Sequence, residues 1–427
     1  MEQRLVSSNF TALLSGKAGY YLGGLLLFGV VAVIKSPTLF WDPRFWAEEG
    51  LIFYQNCLQQ GAQQCLRYVH LGNFLLFSNL LGYWASLVPA YFAPFVTTYG
   101  AAALHVLVVY QVLLLGQTYG IKTPQTYLLV TALALLPQTY EVWMTATNVQ
   151  WLAGISVMLV FAMPAVWLRS QLAWLSIGIV LCGFAGIPSV ILTPIALVRG
   201  ILMRSKSAVW LATLLGACAV AQTAILIAHP VASARSFSFN LPLLGLAASL
   251  HTLIGPLLTV DFFYAVGSAL RAGGQLLTTG PICLLAVSGL LMGLLATWGV
   301  QIQHRGVYLY LFCCWIFVTT IQAFAALDQP WDMVATAGGR YFLLGAVCFC
   351  LSLGLASTAR VHLIRYVSTA MLTVVVLSGF YTVKYSSWND WFLTGPSWRE
   401  QIVHCERDRP CEVGIWPAGW MVTLPSR

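Results

Sequence analysis

Long apolar runs separated by short polar breaks occupy most of the chain. Eleven runs read as membrane-crossing helices, at about 18–35, 93–116, 124–140, 149–168, 171–185, 188–201, 208–229, 280–300, 307–327, 341–357 and 364–383. A hydrocarbon core about 30 Å thick takes about 20 mostly apolar residues per helical crossing. The stretch Tyr68 to Leu87 is also apolar, but it carries His70, Asn73 and Asn79 and is followed by Pro89 and Pro94. An interfacial helix accounts for both features, whereas another crossing would invert every later loop. The predicted fold is all-α and polytopic. A transmembrane domain over 1–383 has outside loops at 36–92 and 230–279, and a small extracytoplasmic cap covers 384–427.

Composition agrees with a life in lipid. Of the 427 residues 59% are hydrophobic, 13% aromatic and 8% charged, against roughly 25% charged in a soluble domain. A net charge of +8 would suggest nucleic acid in a soluble protein. Here the basic residues are scattered singly between apolar runs, so they speak of topology and nucleic acid is not a partner. The first run follows Arg4 and Lys17 and has no cleavage pattern after it, so it reads as a retained anchor. With the N-terminus cytoplasmic, the inside loops carry Lys122, Arg169, Arg199, Arg204, Lys206, Arg305, Arg360 and Arg365, as the positive-inside rule requires. The expected location is the cytoplasmic (inner) membrane, with the C-terminus extracytoplasmic. Twelve of the thirteen acids then lie outside, with only Glu2 inside.

Four of the eleven cysteines lie outside the apolar runs, and they form two local pairs. Cys57 with Cys65, and Cys405 with Cys411, can each close a short disulfide loop in an oxidising compartment.

The first outside loop opens with WDPRFWAEEG. If residues 43 to 54 are helical, Asp42, Trp46 and Glu49 share a face and Arg44 pairs with Glu48 at i, i+4. That leaves Glu49, among aromatics at the membrane surface, as the carboxylate whose pKa desolvation raises toward that of a general base. A solvated acidic cap on an interfacial helix is the alternative. Asp42, Glu48 and Glu49 are also the residues that would hold a divalent cation such as Mg or Mn, although nothing in the sequence demands a metal.

Two further segments reach the outer face. EVWMTATNVQW offers Glu141, Thr145 and Asn148 at helical spacing beside Gln150 and Trp151, and hydroxyls, amides and indoles suit sugars. Helix capping by Thr147 or Asn148 is the alternative. DQPWDMVATAGGRYF brings Asp328, Asp332 and Arg340 to the outer end of the tenth run. Arg340 follows two glycines, where backbone approaches a ligand closely and a guanidinium can hold a phosphate; snorkelling is its alternative. Residues 230–279, with His251, Asp261 and Arg271, suit another interfacial helix or a flexible lid. The tail tryptophans, Trp398 and Trp416 among them, suit interfacial anchoring.

The combination of DPRFWAEEG, TNVQW, the break GFAGIPS before ILTP, and GGRYF resembles bacterial envelope proteins of the GT-C class of membrane glycosyltransferases. The resemblance implies a polyprenyl-phosphate-linked sugar as donor, membrane lipids around it, and a glycan, lipid or protein as acceptor. It also implies an acidic base in the first outside loop, here Glu49 or Glu48 with Asp42 as a second acid. Many members have an Asp-containing pair where this chain has Glu48-Glu49. The donor phosphate would fall to Arg340, helped by Lys35 or Arg271. The sugar or acceptor would fall to Glu141, Thr145, Asn148, Gln150, Trp151, His70, Asn73 and Tyr341. A polysaccharide polymerase or ligase, or a flippase or transporter of lipid-linked sugars, shares the hydropathy. The first would depend on its outside arginines rather than on the acids. The second usually shows internal repeats, which are not evident here.

Overall fold

The computed structural model describes residues 18–229, 245, 247–272, 279–300, 304–325, 339–385, 396–405 and 410–425. Each apolar run is mainly helical over its described residues. In chain order the larger helices are α1 (Ala18–Lys35), α5 (Ala93–Thr118), α6 (Thr123–Leu135), α7 (Val149–Ala162), α9 (Leu172–Gly183), α10 (Ile187–Leu202), α11 (Lys206–Ala228), α13 (Thr279–Gly299), α14 (Arg305–Ala325), α15 (Gly339–Ala356) and α16 (His362–Tyr385). Short helices α2 (Thr38–Trp41), α3 (Gln55–Leu66), α4 (Leu76–Ser86), α8 (Ala165–Ser170), α12 (Val260–Ala272) and α17 (Trp398–His404) fill the connections. Two antiparallel hairpins, β1–β2 (Val69–His70 with Asn73–Phe74) and β3–β4 (Cys411–Ile415 with Trp420–Leu424), are the sheet content among the described residues. Among the described residues, six helical segments, Ala18–Lys35, Ala90–Thr118, Lys206–Ala228, Arg305–Gln322, Gly339–Ala356 and His362–Tyr385, are long and apolar enough, by length and composition, to cross a membrane. The chain is an all-α, membrane-embedded protein.

Proline sets several boundaries that apolar content alone misplaces. The run expected over 124–140 leaves the helix after Leu135, because Leu136 precedes Pro137 and takes ψ 133°. A residue before proline is pushed out of the α region. Met163 before Pro164 does the same at ψ 155°, so the run expected over 149–168 divides into α7 and α8.

The core lies around α7 and α15. In α7 every residue except Gln150 is buried, and in α15 every residue from Phe342 to Ala356 except Phe349 is buried. A helix that is apolar all round is one enclosed on all sides. Their start points share one end of the bundle with the first loop and the tail. The opposite end is basic. There the Arg199 guanidinium donates to Gly306 O at 3.1 Å, the rings of Tyr119 and His304 meet at 5.3 Å, and Arg360 N donates to Gly299 O.

The first loop differs from expectation. Residues 43–47 are not helical; a π-helix, Glu49–Tyr54, follows Glu48 and runs into α3. The predicted interfacial helix over 68–87 is a β-hairpin followed by the 11-residue α4. The hairpin is held by Gln222 of α11, whose side chain pairs with both Phe74 N and Phe74 O at 3.3 and 2.8 Å. The described part of the second loop is packed rather than lid-like. His251 stacks on Phe342 at 4.3 Å, and Val260 N donates to Thr382 Oγ1 at 3.1 Å.

Gly186, in the break between α9 and α10, has φ 137°. A Cβ there would stand 2.5 Å from Gln150 Oε1 and 2.8 Å from Leu75 Cδ2. Gly186→Ala is therefore expected to destabilise the protein by about 2 kcal/mol or more, read as a lowered Tm of the detergent-solubilised chain.

Candidate functional site

A cavity of about 130 Å³ opens where the first loop meets the bundle. Three helices begin at its wall: α7 with Gln150 and Trp151, α10 with Ile187 and Pro188, and α15 with Arg340 and Tyr341. Helix N-termini carry unpaired N–H groups and the positive end of the macrodipole, so this convergence favours an anion. Glu48, His70 and Asn73 complete the wall from the first loop. Eight residues singled out in the sequence thus meet at one place: Glu48, His70, Asn73, Asn148, Gln150, Trp151, Arg340 and Tyr341.

Arg340 is held by Glu141, Nε to Oε2 at 3.3 Å, and its guanidinium lies 5.2 Å from the centre of the Tyr341 ring. Glu48 is within electrostatic reach of the same guanidinium. Gly339 is not required by crowding, since a Cβ there would meet Gln138 at an ordinary 3.5 Å. The segment from Glu141 to Asn148 is a turn with Met144 at φ 52°, not a helix. Thr145 and Asn148 are both tied to Glu141 O, at 3.0 and 2.6 Å. They shape the backbone that presents Glu141. Asn148 occupies the cap position of α7 without making the capping bond.

Glu48 and Glu49 part company. Glu48 is half-buried and faces the cavity, with Oε2 lacking a hydrogen-bond partner. Glu49, only 2% exposed, is turned into the protein, where Oε2 accepts the Trp46 N–H at 3.2 Å. The divergence follows from the backbone. Ala47 is held at φ 37° and the π-helix starts immediately after Glu48. Left-handed non-glycine residues and π-turns recur at functional sites.

The tail clamps this loop. Ala47 N donates to Trp416 O, and Trp416 N donates to Phe45 O at 3.1 Å. Thr423 N donates to Gln55 Oε1 at 3.1 Å. Trp398 is fully buried, donates to Ala90 O at 2.8 Å and sets its ring edge-on to Phe45 at 5.0 Å. Trp398 through its side chain and Trp416 through its backbone pack the tail onto the loop. Both cysteine pairs form disulfides, with Cα–Cα distances of 4.7 Å for Cys57–Cys65 and 5.7 Å for Cys405–Cys411.

Several expected site residues lie elsewhere. Lys35 is buried at the end of α1, where Nζ donates to Ala134 O at 2.9 Å and Thr139 Oγ1 at 2.6 Å and sits over the Trp143 ring. Lys35 is 1% exposed and does not line the cavity, so it does not reach a phosphate there. Asp42 closes α2 beside Arg44, which lies 5.5 Å from the centre of the Trp416 ring. Among the described residues no three His, Cys, Asp or Glu side chains are placed to share a metal ion, so Asp42, Glu48 and Glu49 do not form a metal cluster. The Arg271 side chain, and Asp328 and Asp332, lie outside the described residues. Thr147 and Gln322 also face the cavity. Neither carries a charge or belongs to a recognisable spacing. The one signal is an amide near the end of an otherwise apolar run.

Burial pushes the Glu49 carboxyl up to about 7, against the opposing influence of Thr97 and of the Trp46 and Ala146 amides. The folded state thus holds this proton more tightly than the unfolded chain, whose carboxyl keeps the ordinary value of 4.5. Stability from this group is intact below the unfolded value and falls as pH rises, levelling off once the folded value is passed. Glu49→Gln removes the cost. It should stabilise the protein by about 3 kcal/mol above about pH 8 and by nothing below about pH 4.5, as read from Tm against pH.

Comparison with protein families, with curated proteins and with solved structures finds no match for this chain.

Proposed function

We propose that the protein is a membrane glycosyltransferase that moves a sugar from a polyprenyl-phosphate donor to an envelope glycan, lipid or protein acceptor. The observation that carries this reading is the cavity itself. It brings one carboxylate, Glu48, together with a guanidinium, Arg340, and three helix N-termini.

Glu48 takes the proton of the acceptor hydroxyl as its oxygen bonds to the anomeric carbon. The bond from that carbon to the phosphate oxygen breaks, and the electron pair leaves with the phosphate. Base catalysis on one side and a fixed positive potential on the other serve the two ends of that displacement. Arg340 exchanges Glu141 for the departing phosphate, and Glu141 holds it ready between turnovers. Glu49 acts from behind as a support of the loop rather than as the base.

A lipid-linked donor suits a site at the end of a membrane bundle, where the prenyl chain stays in hydrocarbon. The proposed topology has eleven crossings in the cytoplasmic membrane, with a cytoplasmic N-terminus. The first loop and the tail, which touch, are then separated by ten crossings and share the extracytoplasmic side.

The test is turnover by the purified full-length protein in liposomes, offered radiolabelled polyprenyl-phosphate hexoses and pentoses with an envelope extract as acceptor. Label should leave the prenyl fraction only with an intact Glu48. No turnover of any donor would count against the reading.

A further inference from the structure

Gln322, near the end of α14, is 4% exposed, and neither its Nε2 nor its Oε1 has a hydrogen-bond partner. Trp151 Nε1 and Thr147 Oγ1 are likewise buried without partners. All three residues line the cavity that holds Glu48 and Arg340. An unpaired buried polar atom costs about 1–3 kcal/mol, and most such atoms in native proteins are paired. Their concentration around one space means that the partner is a ligand.

The kind of ligand follows from the groups. A carboxamide both donates and accepts, an indole N–H only donates, and a hydroxyl does either. Together they complement hydroxyl groups on a ring. Trp151 and Tyr341, meeting edge to face at 5.5 Å, offer apolar surface to the ring's C–H groups. Charge narrows the choice. Arg340 is the one Lys or Arg among the described lining residues, it is engaged by Glu141, and Glu48 adds a negative charge to the same space. A second anionic group on the ring would find no unshared cation. The cavity of about 130 Å³ is also below the roughly 300 Å³ at which pockets for larger ligands begin, so it suits a single ring.

We infer that Gln322, with Trp151 and Thr147, is the specificity-determining element that reads an uncharged, hydroxylated sugar ring, so that the sugar taken is neutral and not a uronic acid. This rests on the glycosyl-transfer reading of the same cavity and names its substrate class.

The experiment is a binding titration by saturation-transfer NMR on the full-length protein in nanodiscs. The probes are the methyl glycosides of glucose, galactose, mannose and glucuronic acid. At least one neutral glycoside should bind wild type, and the glucuronide should bind roughly tenfold more weakly or not at all. Gln322→Leu should weaken the neutral glycoside by roughly tenfold or more, and Gln322→Asn, which keeps the amide, should fall between. An unchanged Tm shows that the variants fold. Binding to folded Gln322→Leu within about twofold of wild type, equal binding of the glucuronide, or no binding of any neutral glycoside would each overturn the inference. Sugar binding that survives in a protein unable to turn over prenyl-linked donors would instead sink the transferase reading and leave the subsite standing.

Discussion

Glu48→Gln is expected to lower the rate of sugar transfer by about 100-fold or more, while Glu49→Gln stays within about tenfold of wild type. Glutamine keeps the size of glutamate and removes its basicity, so the loss reports proton transfer rather than packing. Glu48 is half-buried and lines the cavity. Glu49 has none of that access: it is enclosed and bonded to the Trp46 amide. Initial rates with a saturating prenyl-phosphate sugar, at a pH where both variants are folded, separate the two. Because Glu49→Gln also relieves a buried charge at high pH, its activity should persist to higher temperature there.

The second large effect is expected at Arg340. Arg340→Ala should cost about 100- to 1,000-fold in transfer, the magnitude typical of removing a group that stabilises developing negative charge. Arg340→Lys keeps the charge but loses the planar fork, so it should recover only part of the rate. Glu141→Gln provides the contrast. Glu141 holds the guanidinium at 3.3 Å; on the proposed mechanism it competes there with the donor phosphate, so its neutralisation should leave the rate within about tenfold and lower the donor KM. A fall in rate as large as that of Arg340→Ala would mean that the ion pair itself, not a freed arginine, is the working unit.

The membrane class and the helices were legible because hydropathy is a property of long runs, and averaging over many residues hides local exceptions. The first loop was not. Its polar opening suggested an amphipathic helix, but Ala47 at φ 37° and the strand contact with Trp416 depend on a tail more than 300 residues away in sequence. No local spacing encodes that contact. Neighbouring aromatics indicate the desolvation of Glu49, and burial does push its carboxyl up to about 7, but they do not indicate that Glu48 is the one that lines the cavity. Lys35 shows the converse error. A lysine at the end of an apolar run looks free, yet here it is consumed by Ala134 O, Thr139 and Trp143. The polar residues of TNVQW and GGRYF line one cavity, and they stand out in the sequence because amides and charges at the ends of buried helices are costly unless something meets them. Gln322 obeys the same rule but stands alone, and a single amide in an apolar run gives no pattern.

The most direct test of the central claim is made in the cell. The gene is deleted, envelope glycans and prenyl-linked sugars are profiled by mass spectrometry, and the strain is complemented with wild type, Glu48→Gln or Glu49→Gln. The account predicts that deletion removes one sugar from an envelope glycan and accumulates its prenyl-phosphate precursor, and that wild type and Glu49→Gln restore the profile while Glu48→Gln does not. An unchanged profile on deletion, or full restoration by Glu48→Gln, would contradict it.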